Sequence, residues 1–91
     1  IQSAKDYIFQ NKEKIIEALN TRIEECKQKL FDAFEKNQIV AEDEYTYFFK
    51  DGNYFSKIAF DSMHECISAL NANHFSEVLN TNEYLIQIIS E

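Results

Sequence analysis

Four side chains in this sequence are soft enough to ligate a transition metal, namely Cys26, His64, Cys66 and His74. A metal site needs such ligands to converge on one point. His64 and Cys66 stand two residues apart, and on a helix that spacing sends them to different sides. No HExxH or CxxC pattern adds a second pair. Ser62-Met63-His64 offers a hydroxyl and an imidazole, but the same spacing separates them. A GxSxG elbow is absent, and the single glycine cannot build an oxyanion loop. Paired ExxE acids on facing helices can hold catalytic metals, and the nearest counterpart is Asp32-x-x-Glu35, alone on a face that reads as solvated. No Gly-rich phosphate loop exists. These residues lead us to expect no catalysis, no metal and no cofactor.

The concentrated feature lies at Glu42-Asp43-Glu44-Tyr45-Thr46-Tyr47-Phe48-Phe49, where three acids abut four aromatics. Asp51, Tyr54, Phe55 and Phe60 follow closely. One reading is a helix N-terminus followed by core aromatics. The other is an exposed acidic-aromatic patch, since tyrosine is favoured at interfaces and acids steer a basic partner. On that second reading Glu42, Asp43, Glu44, Tyr45 and Tyr47 are the expected partner-binding residues. Helix geometry would turn Phe48 and Phe49 inward and leave Tyr47 and the acids outside.

Charge points the same way. The chain carries a formal net charge of −7. Residues 1–36 hold seven basic and seven acidic side chains, which cancel. Residues 37–91 hold two basic against nine acidic and so carry the whole net charge. That balance disfavours nucleic acid and anionic membranes as direct partners and suits a basic protein surface.

The elements that must position these residues start with one long helix. Phe9, Lys12, Ile16, Leu19, Ile23, Cys26, Leu30 and Ala33 recur at spacings of three and four, with Ile8, Ile15 and Phe34 flanking them. The spacing predicts a helix from Ala4 to about Asn37, capped by Ser3 and about 50 Å long. Thr21-Arg22-Ile23-Glu24, a capping-box match, is its one candidate break.

Asn37 to Ala41 then reads as a loop, and Glu42-Asp43-Glu44 as the opening of a short helix. Asp51-Gly52-Asn53 must be a turn. Two readings compete around it. Tyr45–Phe49 can pair back onto Tyr54-Phe55-Ser56 as a hairpin, with Ser62-x-x-Glu65 capping the helix that follows. Alternatively Phe55, Ile58, Ala59, Ser62, Met63, Cys66, Ile67 and Leu70 form a helical stripe of sixteen residues. Length favours the stripe. Phe75, Val78 and Leu79 suggest another helical turn. After a junction at Asn80–Glu83, Leu85, Ile86 and Ile89 suggest a last helix.

With one glycine and no proline in 91 residues, turn-rich β folds are disfavoured. The expected fold is therefore all-α: a single helical-bundle domain over 1–91, with three or four shorter helices packed along the long one. The alternative is an α+β fold with one hairpin at about 44–56. The spacing of the two cysteines suggests free thiols in a reducing, cytoplasmic setting. No signal-peptide pattern or apolar run long enough for a membrane span is present. The start at Ile1 and the end after an apolar run suggest a piece of a longer chain. The function expected is a non-enzymatic interaction module, an acidic binder or inhibitor of a basic protein surface. The alternative is a structural segment of a larger assembly, of viral or phage kind, forming a homo-oligomer through a coiled coil of the long helix.

Overall fold

A computed structural model describes residues 4–76 and 78. Helix α1 spans Ala4–Glu35, strands β1, β2 and β3 span Ile39–Glu42, Thr46–Phe49 and Tyr54–Ser56, and helix α2 spans Lys57–Asn71. The strands form one antiparallel sheet in the order β1-β2-β3. The fold is α+β, which overturns the expected all-α bundle of three or four helices on a long one. Among the described residues these two helices and three strands are the bounded elements, and Phe75, Ser76 and Val78 are helical as well, where a further helical turn was expected.

The reason lies in where α2 begins. Ser56 is extended, at φ −90° and ψ 117°, and its hydroxyl accepts the Ala59 N–H at 3.1 Å. That N-cap starts the helix at Lys57 and leaves Phe55 in β3. The sixteen-residue stripe therefore counted a strand residue as helical. Ser62, the expected cap of the shorter helix, lies inside α2 instead. Residues Glu42-Asp43-Glu44 open no helix. They end β1 and make the β1–β2 turn, and most of the expected loop at 37–41 is β1.

Helix α1 is continuous through Thr21, whose hydroxyl donates back to the Glu17 carbonyl at 3.1 Å and so does not cap. Its 32 residues account for the longest dimension, 49 Å against 22 and 21 Å. Both helices end in the same way. Asn37 at φ 57° donates its N–H to the Phe34 carbonyl, and Gln38 donates to Ala33. Asn73 at φ 60° donates to Leu70, and His74 donates to Ala69. This is the Schellman arrangement, with asparagine in the left-handed position that glycine usually takes.

The core joins the two helices. Ile8, Ile15, Leu19 and Ile23 of α1 meet Met63, Cys66 and Leu70 of α2, and Val78 joins them. The buried line thus runs through the expected flanks Ile8 and Ile15, while the expected seam residue Phe9 is 63% exposed. Leu30 is half-buried and lies outside the cluster. The expected cap at Ser3, and the helical segments at Leu79 and at Leu85, Ile86 and Ile89, lie outside the described residues.

Register divides the sheet into two faces. Ile39 pairs with Phe49, and Glu42, Tyr47 and Phe55 are successive neighbours across the three strands. These side chains turn toward the helices. Ala41, Phe48 and Tyr54 form the next row and turn away. A bulge between Ile39 and Ala41 makes Val40 the extra residue of β1. At the β2–β3 turn Gly52 takes φ 89°, a backbone state that suits glycine. Asp51 accepts the Asn53 N–H at 2.9 Å and fixes that turn.

Candidate functional site

The acidic segment forms the tip between β1 and β2. The Asp43 N–H donates to the Thr46 carbonyl at 2.9 Å, and an Asp43 carboxylate oxygen accepts the Tyr45 N–H at 2.8 Å. A short acceptor at this position mimics a backbone turn, which is why aspartate suits it. Glu44 and Tyr45 occupy the middle of the turn and are exposed.

Lys57, the first residue of α2, ties the tip to the body. Its N–H donates to the Tyr45 carbonyl at 2.8 Å. Its ammonium donates to Glu42 Oε2 at 2.8 Å and to the Asp43 carbonyl at 3.1 Å, and lies 4.4 Å from the centroid of the Tyr47 ring. The Glu42 hydrogen bond holds the Lys57 pKa above its ordinary 10.5, helped by the nearby charges of Glu42, Tyr47 and Asp43 and opposed by partial desolvation. With Lys57 matched to Glu42, the carboxylates of Asp43 and Glu44 remain as the negative charge of the tip.

Tyr47 stands elsewhere than the helix reading placed it. It is half-buried on the inner sheet face, 5.3 Å from the Phe34 ring of α1 and 6.2 Å from Phe55. The row continues from Phe55 to Phe60 at 5.2 Å and from Phe60 to His64 at 4.9 Å. Edge-on and tilted rings of this kind join the sheet to both helices. The outward row holds Phe48 and Tyr54, and Tyr54, on the edge strand β3, also borders the cleft between α1 and the sheet. Strand alternation at Thr46-Tyr47-Phe48-Phe49 carries this signal once the hairpin is taken as the frame, and a helical frame inverts it.

Beside the inner face, a cleft of about 660 Å³ opens between the second half of α1, the sheet and the start of α2. Cys26, Phe49, Phe55 and Met63 are among its apolar lining, while Lys29 and Asp32 bring both signs of charge to its α1 wall. The chemical candidates are scattered. Cys66 is buried, and burial pushes its thiol up to about 11, so it is protonated at neutral pH and a poor nucleophile. Cys26 is half-buried and also free. Among the described residues no group of three or more His, Cys, Asp or Glu could hold a metal ion. Among them, too, no helix is long and apolar enough to cross a membrane.

Comparison with protein-family models, curated proteins and solved structures found no match. The geometry alone therefore carries the functional reading. It offers a charged tip on a well-tied turn.

Proposed function

We propose that this chain is a non-enzymatic interaction module whose acidic end meets a basic surface on another protein. The observation that carries this is the β1–β2 tip. Asp43 and Glu44 are exposed there, and the one nearby cation, Lys57, is engaged by Glu42. Glu42, Asp43, Glu44 and Tyr45 would face the partner. Tyr47 would act from behind, by holding Lys57 in place. Exposed acids act mainly on association, by steering a basic partner into register. The free thiols support a cytoplasmic setting.

The test uses a double variant, Asp43→Asn with Glu44→Gln, which keeps the side-chain acceptor of the turn and removes both charges. A partner recovered by affinity capture and identified by mass is bound to wild type and variant at low and high salt. Wild-type association should slow as salt rises, and the variant should associate slowly at low salt with little salt dependence. Equal association rates for the two proteins at low salt would refute the proposal. A second reading, an oligomerisation segment of a larger assembly, draws on Phe31 and Phe34, both exposed three residues apart near the end of α1. A solution mass that rises with concentration would favour it.

A further inference from the structure

We propose that the outward face of the sheet anchors that basic partner, with Lys and Arg side chains of the partner lying over Phe48 and Tyr54 and further basic groups meeting the acidic β1–β2 tip. This rests on the acidic-binder reading and adds the face, the anchor residues and the partner's chemistry.

The face is continuous. Ala41, Phe48 and Tyr54 are successive neighbours across all three strands, so their side chains form one row. All three are exposed, Phe48 at 39% and Tyr54 at 66%. Val40, beside Ala41 in the bulge, is exposed at 58%. Taking 150–250 Å² for a whole aromatic side chain, Phe48, Tyr54 and Val40 together offer roughly 300 Å² of largely apolar surface. That is the size of an interface centre, with the polar surroundings left to form its rim.

Charge selects what covers it. The two turns that bound β2 place Asp43 and Glu44 at one end of the sheet and Asp51 at the other. Lys50 stands beside Asp51 and cancels its charge, so the negative end of the face is the β1–β2 tip. A second copy of the chain, itself at −7, would bring its own acidic tip to the same face. A partner with Lys and Arg brings the opposite sign. It also brings the side chains best suited to aromatic faces, because guanidinium and ammonium groups are attracted to the ring and their stems are apolar. Docking onto the face is preferred to adding a strand at the β1 edge, because the bulge at Val40 breaks the ladder there.

The probes are an oligoarginine peptide and an oligolysine peptide, titrated into the whole chain while backbone amide resonances are followed. We expect both peptides to shift the Ala41, Phe48 and Tyr54 amides together with those of the β1–β2 tip, and oligoarginine to bind more tightly because it stacks better. The variant Phe48→Thr with Tyr54→Thr keeps strand-forming residues and removes both rings. It should weaken oligoarginine binding about five- to thirty-fold while its salt dependence stays. Tyr54→Phe should bind like wild type. If the double variant fails to fold, Tyr54→Thr alone decides, with a loss of about two- to five-fold expected. Shifts confined to the acidic tip, with the Thr variants binding like wild type, would overturn this proposal and leave the acidic-binder reading intact. Loss of salt dependence in the wild type would instead overturn the acidic-binder reading and this proposal with it. A mass that doubles with concentration and reverts in the Thr variant would make the occupant a second copy, which also overturns it.

Discussion

Replacing Asn37 by alanine should destabilise the fold without removing a single buried contact. Asn37 is exposed and sits at φ 57° in the turn that delivers the chain from α1 to β1. A side chain with a Cβ in the left-handed region costs roughly 1–2 kcal/mol, and asparagine lowers that cost through local polar contacts that alanine lacks. Asn37→Ala should therefore lose about 1 kcal/mol, or about 4–8 °C in melting temperature for a domain of this size. Asn37→Gly removes the strain but makes the unfolded chain more flexible, which costs about 0.5–1 kcal/mol. The two effects nearly cancel, so the glycine variant should stay within about 0.5 kcal/mol of wild type. Asn73 holds the same position after α2, but its side chain also accepts from Lys12 at 3.3 Å near the other end of α1. Asn37 is thus the cleaner site. The two alanine changes should add, since they are far apart along α1. Urea unfolding of the single and double variants measures all of this. If Asn37→Ala matches wild type, or if Asn37→Gly falls as far as Asn37→Ala, the left-handed cap is not what ends the helix.

Two further outcomes are expected. Leu19→Ala should cost about 2–5 kcal/mol because Leu19 is fully buried, and Leu30→Ala clearly less; equal losses by urea unfolding would move the core. The folded Cys66 thiol keeps its proton up to about 11, whereas the unfolded one releases it near its ordinary 9.0, so stability should fall as pH rises between those values by about 1.4 kcal/mol per unit. Cys66→Ala should flatten that slope in melting curves, and wild-type Cys66 should react with a thiol reagent more slowly than Cys26.

The long helix was legible because its signal accumulates over thirty residues. An error of one position, such as seating Phe9 rather than Ile8 on the inner side, rotates the stripe without breaking it. The sheet was harder to read because each strand is four residues or fewer. Phe55 satisfies both the helical stripe and the hairpin, and only the Ser56 cap decides between them. Strand β1 carries no legible signal, since its bulge spoils the alternation that marks a strand. At the tip, the exposure of Asp43 and Glu44 could be read from their type. The fate of Tyr47 and Glu42 could not, because it depends on Lys57, ten and fifteen positions further along the chain.

The core cluster contains no strand residue among the described ones. The sheet instead hangs from a file of rings and one lysine. Such a join lets the molecule melt in parts. The helix pair should keep its slow-exchanging amides while the sheet opens and recloses at lower cost, as weakly packed units do. A protease would then find its first cut in the turns rather than in α1. An opening sheet would carry the outward row and the acidic tip with it, so amides of both should exchange faster than those of the helices behind them.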